Sequence, residues 1–142
     1  VPPDPIRIAA SGIDLSGRFV ESVAVVASPA AAAETIIAQT PALPEEVLVS
    51  GVLLSGWAAF TVGTNGTAVR LRLRQTNVAG AIVADTGALT GGIAAAGLVQ
   101  EYVQGKDSAP AAAGQVYVLT LQVTAGSAAS TVSATSLRAI AV

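Results

Sequence analysis

Arginine occupies alternate positions of the segment TAVRLRLRQT, residues 67–76, as Arg70, Arg72 and Arg74, with Val69, Leu71 and Leu73 at the positions between. A spacing of two suits a strand, because side chains alternate across its faces: the guanidiniums share one side and the aliphatics the other. Three chemistries are open to such a stripe. It pairs with carboxylates on neighbouring strands of a solvated sheet face, it docks on an acidic protein surface through forked guanidinium–carboxylate contacts, or it contacts phosphate. The net charge of −2 speaks against a general nucleic-acid binder, which carries a clear basic excess.

No other cluster suggests catalysis. The chain has no His, Cys or Met, which removes the commonest nucleophile–base pairs, zinc sites and haem ligands and leaves the redox compartment unreadable from thiols. The acidic residues stand singly apart from Glu45 and Glu46, and none has the spacing of a calcium loop. GALTGGIAAAG, residues 87–97, is glycine-rich, but it lacks the Lys-Ser/Thr ending of a phosphate loop and the βαβ setting of a dinucleotide site. Ser16 near Arg18 and Ser108 near Lys106 have no positioned base. The expectation is a protein that is not an enzyme and has no cofactor and no metal. Trp57 and Tyr102 suit either a sugar-stacking platform or a buried core, and the core is favoured in a chain with so few aromatic rings.

The elements that carry these residues read as short strands. The spacing and composition predict strands over 19–27 (broken by Ser28-Pro29), 34–39, 81–84, 98–104, 115–124 and 131–142, besides the arginine segment. Residues 47–62 are too long for an average strand. Gly51 and Gly56 predict a bulge or bend there, with Trp57 and Phe60 adding bulk to the core. Asn65-Gly66 predicts a two-residue turn that folds 47–62 back onto the arginine strand as a hairpin at the centre of the domain. Residues 77–80 read as a turn, and 85–97 and 106–114 as loops. The segment 115–124, QVYVLTLQVT, is largely uncharged on both faces, which predicts a strand covered on both sides or one with its outer face at an interface. The fold class is all-β: an antiparallel β-sandwich of jelly-roll type.

The 142 residues suit a single β-sandwich domain, residues 19–142, preceded by an N-terminal arm, residues 1–18. Pro2, Pro3 and Pro5 keep the arm extended, and Ile6, Ile8, Ile13 and Leu15 give it apolar surface to lay along a neighbouring subunit. Residues 1–10 lack the basic start and apolar core of a secretory signal. The mean hydropathy of +0.66 and the charge-free run 47–69 raise a membrane reading. Four glycines and the Asn65-Gly66 pair within that run favour strands instead of a spanning helix. Charged residues are only 11% of the chain, against roughly 25% in ordinary soluble proteins. Charge is depleted at the cores of protein interfaces, so burial against copies of itself or a larger assembly accounts for this composition better than a free monomer does.

VLVSGVLLSGW followed by VRLRLRQT, the later AAAGQVYVLTLQV and the terminal SLRAIAV resemble the β-jelly-roll modules of tailed-bacteriophage virions, over about residues 34–142. Those modules serve as capsid decoration or cement proteins and as heads of tail fibres. The resemblance implies a non-enzymatic virion structural protein on the capsid surface, made in the host cytoplasm, whose partners are other capsid subunits and copies of itself in a homotrimer. It carries over no catalytic or ligand residue. The candidate interaction residues are those of the arm, Ile6, Ile8, Ile13 and Leu15, together with Arg70, Arg72 and Arg74. The alternative is a receptor- or carbohydrate-binding module, such as a fibre head, that makes contact through loops 85–97 and 105–114.

Overall fold

A computed structural model describes residues 19–21, 23–24, 33–43, 51–63, 68–89, 93, 95–110, 114–123 and 131–142. The arm lies outside the described residues. In chain order the strands are β1 (Phe19–Glu21), β2 (Val23–Ala24), β3 (Glu34–Gln39), β4 (Val52–Thr61), β5 (Val69–Gln75), β6 (Ile82–Asp85), β7 (Leu98–Asp107), β8 (Tyr117–Val123) and β9 (Thr131–Ala141). They form a four-stranded sheet in the order β1-β9-β4-β7 and a five-stranded sheet in the order β2-β3-β8-β5-β6. Every pairing is antiparallel. The two sheets pack face to face as a β-sandwich, with no helix among the described residues.

Period-two patterning places the core between the sheets. From β4 the buried residues are Val52, Leu54, Ala58 and Phe60; from β5 they are Val69, Leu71 and Leu73; from β8 they are Tyr117, Leu119, Leu121 and Val123. The strand expected over 115–124 is therefore the centre of its sheet. Its other face is covered as well, since Val118 and Thr120 are completely buried.

The expected hairpin across Asn65-Gly66 does not form. β4 pairs with β7 and β9, β5 pairs with β6 and β8, and the two strands lie in opposite sheets. Two amphipathic strands joined by a short connection can bury their apolar faces side by side or face to face, and a local turn signal does not choose between these. Long ladders to distant strands decide it, since β4 holds β7 along its whole length from Val52 opposite Asp107 to Thr61 opposite Leu98. The strand expected over 19–27 is likewise divided, with β1 joining β9 in one sheet and β2 joining β3 in the other. Residues 106 and 107, expected in a loop, extend β7. The turn expected over 77–80 is present, where Asn77 Oδ1 accepts the Ala79 N–H at 2.8 Å.

Gly56 also has a role that its sequence context did not indicate. The irregularity of β4 falls between Ala59 and Phe60. At Gly56 a Cβ would meet Leu119 Cδ1 at 2.8 Å and Leu73 Cδ2 at 3.2 Å, so the missing side chain lets β4 approach β8 and β5 across the sandwich. Both leucines are completely buried. Gly56→Ala is therefore expected to overpack the core at a cost of about 1–3 kcal/mol, read as a lowered denaturation midpoint with an unchanged slope in urea.

Candidate functional site

The two outward faces of the sandwich differ in chemistry. On the five-stranded sheet, Arg70, Arg72 and Arg74 project from β5 opposite Gln122, Thr120 and Val118 of β8. Glu34 reaches them from β3 and Asp85 from β6, which makes an alternating chain of charge across the sheet. Arg70 holds Asp85 through Nε at 2.7 Å and through a terminal nitrogen at 2.7 Å. Arg72 donates from Nε to Asp85 at 3.0 Å and from Nη1 to Glu34 at 2.8 Å. Arg74 donates to Glu34 from Nε at 2.6 Å and from Nη2 at 3.0 Å. Thr120 Oγ1 adds a further hydrogen bond to Glu34 at 2.6 Å. The side chains of Arg72 and Arg74 are only 11% and 13% exposed, whereas that of Arg70 is 39% exposed.

The carboxylates respond to these surroundings. Burial opposes ionisation of Glu34, but hydrogen bonds from Arg74 and Thr120 and the charges of Arg72 and Arg74 outweigh it and hold the carboxyl below its ordinary value. Asp85 is held well below the usual carboxylate range, chiefly by its hydrogen bonds from Arg70, with the Gly87 N–H and Arg72 adding to the effect against the opposing burial. The guanidiniums of the stripe thus find their carboxylates within the same chain, on strands distant in sequence.

The four-stranded sheet turns a different face outward. In β4 the residues alternating with the core are Leu53, Ser55 and Trp57; in β7 they are Tyr102, Gln104 and Lys106; in β9 they are Ser136, Arg138 and Ile140. Leu53, Tyr102 and Ile140 are 44%, 52% and 41% exposed. Trp57, expected in the core, is instead half-buried on this outer face, directly opposite Tyr102 in the β4–β7 ladder. The inward positions of β4 fall at Val52, Leu54, Gly56, Ala58 and Phe60, so alternation turns Trp57 outward, and beside it at Gly56 even a Cβ would crowd Leu119 and Leu73. A depression of about 590 Å³ opens at one end of this face, between Leu53, Tyr102, Gln104, Lys106, Arg138 and Ile140.

A buried polar group ties the sheets together at the same end. Tyr117 donates its hydroxyl to Asp107 Oδ2 at 2.8 Å, and Gln75 donates to the same oxygen at 2.6 Å. Burial, and then the neighbouring Asp107, raise the Tyr117 hydroxyl above its ordinary value, so it remains a neutral donor. No group of three acidic, His or Cys side chains that could hold a metal ion exists among the described residues. No helix among them is long and apolar enough to cross a membrane.

Of the candidate residues, Arg70, Arg72 and Arg74 come together as described, while Ile6, Ile8, Ile13 and Leu15 lie outside the described residues. Sequence reasoning missed Glu34 and Asp85 as the partners of the stripe and missed the depression altogether. The alternation of Tyr102, Gln104 and Lys106 in β7 was a signal available for the second, but Lys106 fell in an expected loop.

The chain matches no protein-family model and no curated protein sequence. Its fold is shared. A solved structure of Eiger TNF from S. frugiperda superposes with a TM-score of 0.51 at 8% identity, over 88% of this chain and 92% of that one. A chain in the structure of infectious bursal disease virus, Gx strain, superposes with a TM-score of 0.52 at 10% identity. The match covers 87% of this chain but only 32% of the viral chain. At these identities the likeness establishes architecture alone, an all-β jelly roll.

Glu34 and Asp85 have depressed values when folded, so their stabilising contribution is fully present above the unfolded carboxylate range near pH 4, begins to be lost as pH falls below it and is gone once pH has fallen through the folded values. Urea stability is expected to be flat from about pH 6 to 8 and to fall below about pH 5. Glu34→Gln should cost about 2–3 kcal/mol at pH 7, because it leaves Arg72 and Arg74 poorly compensated, and should flatten the acid limb. Arg70→Gln, at the exposed end, should cost less.

Proposed function

We propose that the chain is a non-enzymatic virion structural protein of the decoration or cement type, which binds and stabilises an assembled capsid shell, of a bacteriophage by the resemblance of its strands. It acts as a homotrimer and has other capsid subunits as its partners. The observation that carries this reading is the contrast between the two outer faces. One sheet settles its charges within the chain, while the other exposes Leu53, Tyr102 and Ile140. A protein so sparing of charge exposes such a face when another protein surface is there to cover it.

The dimensions agree with that use. Three strands of some 30 Å and a three-residue edge strand, at about 4.8 Å spacing, present roughly 500 Å² per copy, so two copies in contact bury about 1,000 Å², at the lower bound of specific interfaces. The jelly-roll architecture shared with the infectious bursal disease virus chain is compatible with a role in a virion.

A receptor- or carbohydrate-binding module is favoured by one observation, the pairing of Trp57 with the half-exposed Tyr102 on an outward face. Such rings stack on sugars when they remain open to solvent.

Absolute mass by light scattering, together with binding to particles that lack the protein, tests the first reading. The full chain is expected to be trimeric and to bind such particles. Leu53→Asp and Tyr102→Asp, both at exposed positions, should give folded monomers that bind at least ten-fold more weakly. A chain that stays monomeric and ignores the particles would overturn it, and a glycan-array signal abolished by Tyr102→Ala would place the protein in the second class.

A further inference from the structure

The depression on the four-stranded sheet lies across two rows of the ladder. One row runs Phe19, Ile140, Leu53, Lys106 and the other Glu21, Arg138, Ser55, Gln104. β1 begins at the first of these rows, at the end of the sheet where the depression opens. Residues 1–18 extend to about 60 Å, while the sheet is about 15 Å wide from β1 to β7. Pro2, Pro3 and Pro5 favour an extended course over the first residues of that stretch.

The chemistry of the arm matches the depression. In an extended segment Asp4, Ile6 and Ile8 share one side, with Arg7 on the other. The depression offers apolar surface from Leu53, Tyr102 and Ile140 beside the positive charge of Lys106. We propose that Asp4, Ile6 and Ile8 of one subunit occupy this depression on a neighbouring copy, with the isoleucines against Leu53 and Ile140 and the carboxylate toward Lys106. The pairing rests on the assembly reading above and specifies its contact: each arm locks the next subunit.

The absence of cysteine makes the contact directly testable in the full-length protein. Chains carrying Ile8→Cys are mixed with chains carrying Gln104→Cys and oxidised, with Asn77→Cys on the exposed β5–β6 turn as the control acceptor. A disulfide-linked pair of chains is expected at least ten times more abundantly with Gln104→Cys than with Asn77→Cys. Equal yields would overturn the proposal, as would a link that forms only within a single chain carrying both substitutions. Lys106→Glu should weaken association about ten-fold, and adding Asp4→Lys should restore it; failure of that rescue also counts against the contact. Light scattering on the same samples separates the two ideas, because an oligomer that persists without the cross-link leaves the assembly reading standing and removes only the arm contact.

Discussion

Burial of β8 on both of its faces is the constraint from which most of the structure follows. Its inward residues, Tyr117, Leu119, Leu121 and Val123, form the floor of the core, and Val118 and Thr120 on the opposite side are just as inaccessible. Apolar packing against β4 satisfies the first face, at a separation that only glycine at position 56 permits. The second face needs a polar cover, because Thr120 presents a hydroxyl that must find a partner once water is excluded. Glu34 supplies it and in turn requires cations, and these are the arginines of β5. The charge chain is thus a consequence of sheet order: β3 and β5 flank β8, and β6 closes the far side.

This arrangement gives the protein two unlike surfaces. Charges spent on one another across the five-stranded sheet are poorly available to a partner, since a guanidinium already forked onto a carboxylate must lose those bonds before making new ones. The four-stranded sheet turns Leu53, Tyr102 and Ile140 outward, with Lys106 and Arg138 at one end of the same face. Covering that face would remove apolar surface from water, a gain the five-stranded sheet offers less of because its guanidiniums are already paired. The Tyr117–Asp107–Gln75 group stands behind this face and joins β5, β7 and β8, so β7 is held rigidly against the opposite sheet.

Much of the strand content was legible in the order of residues, because period-two alternation is a local property. The arginine segment and 115–124 both show it, and each is a strand. Tertiary partners were less legible. Asn65-Gly66 carries a strong local turn signal, yet the strands on either side separate into different sheets because each gains a longer ladder elsewhere. Trp57 was misplaced for a related reason: hydrophobicity alone does not say which face of a strand an aromatic ring takes, and alternation with Gly56 and Ala58 inward turns it outward.

The sequence by itself determined that this is an all-β chain of aliphatic core and sparse charge, and that Arg70, Arg72 and Arg74 share one side of a strand. Composition and alternation suffice for that, since both act between near neighbours. Only the tertiary structure decided what those arginines meet and where the apolar surface lies. Glu34 is separated from Arg72 by 38 positions and Thr120 from Glu34 by 86, so their contact depends on strand order, which is set by the competition among long-range ladders for a shared core.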